Sequence, residues 1–168
     1  KCCYRIRIKG TEHIPTRGPA LIVSNHVTWA DAVLLSATTQ RRIRFVMNRN
    51  IMEGNFLAPI FKLIRAIPIS ADDTPREIAK ALMAARTALE EGALVCIFAE
   101  GAITRNGNMR GFRPGLEFIM KKTGYPIIPV YIGGAWGSIF SYFHGKLLAA
   151  MPRQLPYPLS ITYGAPMP

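Results

Sequence analysis

The fold is decided by the stretch Ala20-Leu21-Ile22-Val23-Ser24-Asn25-His26-Val27-Thr28-Trp29-Ala30-Asp31. Its first four residues are apolar with a β-branched centre, which is typical of a buried strand. The chain turns polar at residues 24–26 and apolar again at residues 32–35, where a helix is expected. The pattern therefore places His26 just past the carboxyl end of a strand and Asp31 near the start of the next helix. In open α/β sheets, ligands bind at that edge.

The spacing of His26 and Asp31 restricts how their side chains can meet. Residues five apart on a straight helix point about 140° away from each other, so contact requires a turn between them, with Thr28 or Ala30 as early helical positions. If they meet, the carboxylate fixes the imidazole tautomer and leaves the other ring nitrogen as a general base. The alternative is a histidine that caps the helix and an aspartate in its first turn, where negative charge is favourable.

Length and charge restrict the class of protein. The chain has 168 residues, which suits a single domain spanning residues 1–168. Because it begins at Lys1 and ends in a Pro-rich tail, we expect a domain cut from a longer chain. The net charge of +11 indicates an anionic partner. A zinc finger, an RNA-binding signature and basic-aromatic alternation are all missing, so we expect a membrane surface or an anionic substrate and no nucleic acid.

The cysteines and the apolar runs add two expectations. Cys2, Cys3 and Cys96 lack metal-ligand spacing, and Cys96 lies in an apolar run that indicates core, so a reduced, cytosolic setting is favoured. No apolar run is as long as a membrane span. Any membrane contact is therefore expected to be peripheral or to come from neighbouring segments.

Strands and helices alternate along the rest of the sequence. The clearest helix begins at an N-cap, Thr74, with Pro75 in the first position, Glu77 completing a capping box, and Gly92 after its end. A fully apolar strand follows at residues 94–98. Further helices are expected at residues 32–39, 55–64 and 114–122, and further strands at residues 4–9, 45–47, 66–69, 127–132 and 160–163. This order predicts an α/β layered domain with a mostly parallel or mixed central sheet flanked by helices.

A second group of polar residues follows the apolar strand at residues 94–98. Glu100 and Gly101 come directly after it, and Thr104-Arg105 lie slightly further on. A guanidinium group suits a phosphate because it donates paired hydrogen bonds, and glycine lets the backbone approach a ligand. Glu100 is placed either to pair with Arg105 or to accept from a substrate hydroxyl. The alternative is a solvated basic loop with a local ion pair.

Together, the two stretches resemble the glycerolipid acyltransferase family, which includes the lysophosphatidic acid acyltransferases. Asn25-His26 and Asp31 match its first motif, and Phe98, Glu100 and Gly101 match its third. Residues 127–130 are similar to its fourth. The sequence departs from the family where Ala99 replaces a proline, where Ala102-Ile103 precede Thr104-Arg105, and where Ser70 stands near the arginine position of the second motif. The lengthened third motif, and the run Ala135-Trp136-Gly137-Ser138-Ile139-Phe140 before Tyr157-Pro158, look most like the acyltransferase domains of large bacterial fusions that combine a transporter, an acyltransferase and an acyl-ACP synthetase.

The resemblance implies a function and a set of roles. His26, oriented by Asp31, would act as general base while an acyl group passes from a thioester of acyl carrier protein or coenzyme A to a lysophospholipid hydroxyl. Glu100, Gly101, Thr104 and Arg105 would bind the phosphate-bearing acceptor. The thioester is a co-substrate, and neither a metal nor another cofactor is implied. The expected location is the cytoplasmic face of the inner membrane, either peripherally or within a larger membrane protein.

Other functions remain open at this stage. Within the same family, 1-acylglycerol-3-phosphate is the second acceptor to consider, although the fusion-like features favour a lysophospholipid. A hydrolase would use the same two residues to activate water on a thioester or ester. A non-catalytic basic domain would bind a membrane or nucleic acid without needing His26.

Overall fold

A central β-sheet organises the computed structural model, which describes residues 4–52, 58–70, 72–146 and 155–168. The strands in these residues are β1 (Tyr4–Lys9), β2 (Ala20–Ser24), β3 (Ile43–Asn48), β4 (Ile67–Ile69), β5 (Leu94–Phe98), β6 (Ile127–Gly133) and β7 (Tyr157–Tyr163). The helices are α1 (Asp31–Ala37), α2 (Arg49–Met52), α3 (Ala58–Leu63), α4 (Pro75–Glu90) and α5 (Gly115–Met120), with a short 3-10 turn at Thr11–His13. Among these helices, none combines the length and the apolar character needed to cross a bilayer.

The seven strands lie in the order β1-β7-β6-β2-β5-β3-β4. Neighbouring strands are parallel except β6 and β7, which are antiparallel. The carboxyl ends of β2, β3, β5 and β6 therefore share one edge of the sheet, and β7 begins at that edge. The segments after β2 and β5, which carry the candidate residues, leave the sheet side by side because β2 pairs with β5.

The sheet separates two apolar layers because successive side chains of a strand point to opposite faces. One layer combines Ile22, Phe45 and Cys96 with the leucines of α1. The other combines Val23, Val95 and other residues of the opposite face with the apolar sides of α4 and α5. Since β2 and β5 are covered on both faces, their sequences are almost entirely apolar.

The longest described helix begins where its sequence predicts. The hydroxyl of Thr74 accepts from the amide of Glu77, and the carboxylate of Glu77 accepts from the amide of Thr74 at 2.8 Å, forming the capping box. Pro75 occupies the first helical position. Gly92 follows the helix with a φ of +84°, a backbone conformation that glycine adopts without strain. The predicted cap, first position and end of α4 are confirmed.

The predicted fold class is confirmed, and several element boundaries need correction. Helix α1 begins at Asp31 and ends at Ala37, one and two residues earlier than expected. The last strand begins at Tyr157 rather than residue 160 and runs antiparallel to β6. The helix expected at residues 55–64 is described only from Ala58 onward. Cys2 and Cys3 lie outside the described residues, whereas Cys96 is a free thiol in the core, as predicted.

Candidate active site

His26 and Asp31 meet at the carboxyl end of β2. The imidazole Nδ1 lies 2.9 Å from Oδ2 of Asp31. The Asp31 side chain has no exposed surface, while that of His26 is 18% exposed. A proton on Nδ1 is held by the carboxylate, and Nε2 then carries the lone pair. Because Nε2 makes no hydrogen bond within the described part of the chain, it is available to a group outside the protein.

The Asp31 carboxylate organises the whole turn that separates it from His26. Its Oδ2 accepts from the amides of Val27 and Thr28 at 2.7 and 2.9 Å, in addition to the imidazole. Its Oδ1 accepts from the Thr28 hydroxyl at 2.6 Å. Four donors therefore compensate a buried charge whose isolated burial would be strongly unfavourable. A charged acceptor at a helix start also faces the positive end of the helix dipole.

The turn predicted from the spacing is present, although it differs in detail. Thr28 and Ala30 precede the helix instead of lying in its first turn, and Ala30 is the residue before Asp31, the first helical position. The turn is also fixed from outside, since the Trp29 amide donates to the carbonyl of Phe140 at 3.2 Å. The side chains of His26 and Asp31 consequently face one another across this turn.

Glu100 is buried, and its two oxygens bind two segments of backbone. Oε1 accepts from the amide of His26 at 2.8 Å, and Oε2 accepts from the amide of Arg110 at 2.7 Å. The side chain is 2% exposed. The ion pair with Arg105, one of the two expected arrangements, does not form among the described residues. Both Glu100 oxygens hold backbone amides, and its role in acceptor binding stays a prediction. Glu100 connects the histidine to the loop that follows β5.

Thr104 and Gly101 also build the framework. The Thr104 amide donates to the carbonyl of His26 at 2.9 Å, and its buried hydroxyl donates to the carbonyl of Asn108 at 2.7 Å. The Thr104 hydroxyl therefore closes the loop, and the expected part of Thr104 in acceptor binding stays a prediction. Gly101 has a φ of +69°, and a Cβ at this position would lie 2.7 Å from Nε of Arg113. The space left by the glycine is thus filled by the arginine side chain.

Arg105 is exposed and follows Thr104 on the loop after β5. Its guanidinium carbon lies 3.7 Å from the centroid of the Tyr142 ring, an arrangement that combines stacking with cation–π attraction. The Tyr142 hydroxyl accepts from Nε1 of Trp29 at 3.1 Å. The neighbouring residue Thr104 donates its amide to the His26 carbonyl, so the backbone at Arg105 is anchored next to the backbone of His26.

Two supporting residues have roles that the sequence did not predict. The sequence indicates Asn25 only as a motif residue, yet its side chain bonds both backbone groups of Ile132. Nδ2 donates to the Ile132 carbonyl at 3.0 Å, and Oδ1 accepts from the Ile132 amide at 2.7 Å. The amide extends the pairing of β2 with β6 by one residue. Phe98 stacks on the imidazole of His26 with ring centroids 4.0 Å apart. Phe98 pairs with Ser24, the last residue of β2, and an aromatic residue at this position was the sequence signal for the contact.

The described residues contain no group of three or more His, Cys, Asp or Glu side chains arranged to hold a metal ion. The residue near the second-motif arginine position, Ser70, lies just beyond β4 and donates its amide to Asp73 at 2.7 Å. A carboxylate-oriented imidazole, a neighbouring arginine and an open Nε2 are the groups that this edge of the sheet presents.

Comparison with known proteins shows the family of this chain. A family model described as Acyltransferase matches residues 5–133. The chain belongs to the acyltransferase family. It is 27% identical over 132 residues to the chloroplastic 1-acyl-sn-glycerol-3-phosphate acyltransferase LPAT1 of Arabidopsis thaliana, covering 78% of this chain and 36% of that protein. It is 30% identical over 157 residues to a 1-acyl-sn-glycerol-3-phosphate acyltransferase of Chlamydomonas reinhardtii, covering 90% and 45%.

A solved structure shares the fold of this acyltransferase domain. The crystal structure of the 1-acyl-sn-glycerophosphate acyltransferase PlsC of Thermotoga maritima matches with a TM-score of 0.70 and 20% identity, over 98% of this chain and 61% of that chain. The bacterial relative from Borreliella burgdorferi, also named a 1-acyl-sn-glycerol-3-phosphate acyltransferase, is 26% identical over 75% of this chain and 50% of its own length. The chain thus spans half or less of the relatives named here by sequence.

Proposed function

We propose that this domain transfers an acyl group from a thioester to the free hydroxyl of 1-acylglycerol-3-phosphate, which yields phosphatidic acid. The observation that carries the proposal is the 2.9 Å contact between His26 Nδ1 and the buried carboxylate of Asp31. This contact leaves Nε2 as the proton acceptor, beside an arginine that suits a phosphate. The relatives named above share the corresponding name.

The proposed reaction needs only one proton carrier. Nε2 of His26 removes the proton of the acceptor hydroxyl while that oxygen attacks the thioester carbonyl carbon. The tetrahedral intermediate then collapses as the carbon–sulfur bond breaks, and the imidazolium returns its proton to the departing thiolate. A positioned base contributes roughly 10²–10⁴-fold, so orientation of the two substrates supplies much of the remaining acceleration.

The oxyanion of that intermediate requires donors other than the segment around the histidine. The amides from His26 to Asp31 are all engaged, two by Asp31 itself and the others by Glu100, Phe140 and Thr28. The loop after β5 contains the amides of Ala102 and Ile103, which donate to no acceptor among the described residues. We therefore assign oxyanion stabilisation to this loop and to the Arg105 guanidinium.

The choice of acceptor differs from the expectation of a lysophospholipid that the fusion-like sequence features favoured. The phosphate of 1-acylglycerol-3-phosphate is a monoester, which presents more charge and more free oxygens than the diester of a lysophospholipid. Arg105, Arg110 and Arg113 lie on one loop whose residues 101–113 include no carboxylate. Such a loop binds a dianion better than a monoanion.

Donor, partners and location complete the proposal. Acyl carrier protein and coenzyme A thioesters are both anionic and both suit a chain of net charge +11. The acceptor is a lipid, so the domain is proposed to work on a phospholipid membrane surface, at the cytoplasmic face of the inner membrane. The thioester is consumed as a co-substrate, with no metal or other cofactor and no nucleic acid partner.

The test measures acyl transfer directly. Wild type, His26→Ala and the control His144→Ala are incubated with a labelled acyl thioester and a panel of 1-acylglycerol-3-phosphate and lysophospholipids. His144 is exposed and does not contact His26 or Asp31. Labelled phosphatidic acid from wild type and His144→Ala, with none from His26→Ala, supports the proposal. Free fatty acid as the main product, or equal transfer by His26→Ala, contradicts it.

A further inference from the structure

We propose that the loop of residues 105–113, named here the arginine loop, docks this domain on an anionic phospholipid surface. It exposes two large apolar side chains, Met109 and Phe112, each 57% exposed. Arg105, Arg110 and Arg113 are interleaved with them and are also exposed. Alternating cations and apolar side chains suit the boundary between lipid headgroups and acyl chains.

The arginine loop holds this arrangement without regular secondary structure. The Thr104 hydroxyl bonds Asn106 and the Asn108 carbonyl, and the Asn108 amide bonds the Asn106 side chain at 3.1 Å. Further on, the amides of Arg110 and Arg113 donate to Glu100 and to the Ala99 carbonyl. The exposure of Met109 and Phe112 is therefore imposed by backbone contacts on both sides of them. A fixed loop that exposes apolar groups to water calls for an apolar partner.

Aromatic residues continue the surface next to the arginine loop. Trp29 is 38% exposed and Phe143 is 49% exposed. Trp29 and Tyr142 share a hydrogen bond, and Arg105 stacks on Tyr142. Trp and Tyr rings with one apolar side and one polar group are enriched at membrane interfaces. The segment at residues 134–146 also lacks carboxylates, so nothing on it repels an anionic surface.

The charge of the arginine loop distinguishes an anionic lipid surface from a zwitterionic one as its partner. Three arginines elsewhere in the described residues pair with a carboxylate, Arg44 with Glu91, Arg49 with Asp73 and Arg86 with Glu90. No described carboxylate forms an ion pair with a cation of the arginine loop. Unpaired cations beside apolar groups favour an anionic lipid over a zwitterionic one. The inference rests on the proposed function, because the proposed acceptor is itself a lipid of the membrane surface on which the arginine loop docks.

The docking surface is connected to the proposed base through one carboxylate. Glu100 accepts from the amide of Arg110, within the arginine loop, and from the amide of His26. A bilayer that receives Met109 and Phe112 would thus lie at a fixed height relative to the imidazole. The lysolipid hydroxyl, near the headgroup level, would then reach Nε2 without leaving the membrane interface.

The experiment measures co-sedimentation of the full chain with two kinds of vesicle, without any thioester. One contains phosphatidylcholine only, and the other contains about one third phosphatidylglycerol. The test variant is Met109→Gln with Phe112→Gln. Its matched control is Met83→Gln with Met167→Gln, two methionines that are 60% and 47% exposed. Met83 lies on α4, and Met167 pairs with the first residue of β6, at the opposite edge of the sheet.

We expect wild type and the control to bind the anionic vesicles, and the test variant to bind at least about tenfold more weakly because two apolar anchors are lost. Arg110→Gln should also weaken binding, whereas Arg17→Gln, an equal change of charge before β2, should do so much less. Equal binding by both double variants, or equal binding to both kinds of vesicle, overturns the proposal. Wild type that fails to bind either kind of vesicle overturns it as well.

A second readout separates this proposal from the proposed function. Turnover is measured with a short-chain, water-soluble 1-acylglycerol-3-phosphate and with a long-chain one embedded in anionic vesicles. The test variant should keep its turnover of the soluble acceptor and lose at least about tenfold on the embedded one. Loss on both acceptors overturns the docking role. If wild type transfers to neither acceptor, the proposed function fails, while the vesicle binding is judged by itself.

Discussion

Replacement of Asp31 by asparagine removes a charge from the site and leaves its geometry almost unchanged. Three donors converge on Oδ2, and the asparagine carbonyl oxygen can occupy that position and accept from all of them. The new amide group then takes the place of Oδ1 and faces the Thr28 hydroxyl, which can rotate to accept. We therefore expect Asp31→Asn to fold with the turn of residues 27–30 in place.

The expected effects on stability and on rate differ in size. Hydrogen bonds to a charged acceptor are stronger than neutral ones by about 1 kcal/mol each, and four are affected, but the variant also avoids the burial of a charge. A net loss of about 1–3 kcal/mol in the free energy of unfolding follows. The imidazolium formed during transfer loses its counter-charge, so the rate should fall roughly 10²–10⁴-fold, or about 3–5 kcal/mol in activation free energy.

The assay compares kcat/KM for acyl transfer and the melting temperature of four proteins. These four are wild type, Asp31→Asn, His26→Ala and the double variant. A fifth protein, Asp72→Asn, is the exposed control for the same chemical change. Because the two residues act as a unit, the double variant should be no slower than His26→Ala alone. A folded Asp31→Asn protein with kcat/KM within about threefold of wild type would refute the orienting role.

Three further predictions concern the supporting residues. Glu100→Gln retains one acceptor oxygen for two backbone amides, so we expect a loss of about 1–3 kcal/mol in the free energy of unfolding and slower acyl transfer. The control Glu117→Gln, at an exposed position, should change neither quantity. Chemical denaturation measures the stability, and initial rates measure the transfer. Gly101→Ala and Gly18→Ala both impose a positive φ on alanine, but only Gly101→Ala places a Cβ against Arg113. Gly101→Ala should therefore lower the free energy of unfolding more than Gly18→Ala does, and equal losses in the two variants would contradict the contact. Burial, together with the charge of Asp31, raises the pKa of the Cys96 thiol, so Cys96 should resist alkylation at pH 8 in a Cys2→Ser, Cys3→Ser background until the protein is denatured. Because the unfolded thiol ionises near pH 8.5 and the folded one does not, the free energy of unfolding should also fall as pH rises above that value, with a shallower fall in Cys96→Ala.

The sheet could be predicted because apolar runs decide it locally. The strands at Ala20–Ser24 and Leu94–Phe98 are buried on both faces, so nearly every residue in them is apolar and the pattern has few competing interpretations. The last strand was placed too late because Tyr157 and Pro158 do not stand out from the preceding loop. Its first residues are stabilised by pairing with β1, more than 150 positions earlier in the chain, and no local signal reports such a partner.

In the candidate site, too, contacts between residues close in sequence could be predicted better than contacts between distant ones. The contact of His26 with Asp31 spans five residues, so the spacing showed that a turn was needed, while the family resemblance was what favoured the contact over a helix cap. The bonds of Glu100 to the amides of His26 and Arg110 could not be predicted, because a carboxylate after a buried strand has the same local pattern whether it binds substrate or backbone amides. The partner of Arg105 is Tyr142, which lies 37 positions later in a segment without a clear pattern. These contacts depend on how the loops fold over one another.

The two buried carboxylates together explain why a single histidine is held so completely. Asp31 fixes its ring, Glu100 fixes its amide, and the Thr104 amide fixes its carbonyl. The histidine therefore has little freedom to lose when the substrates bind, which is the condition under which positioning contributes most to rate. Since Glu100 and Thr104 belong to the framework of the arginine loop, a phosphate or a lipid surface bound by that loop is positioned relative to the imidazole. Substrate binding and base positioning are consequently properties of one hydrogen-bonded unit.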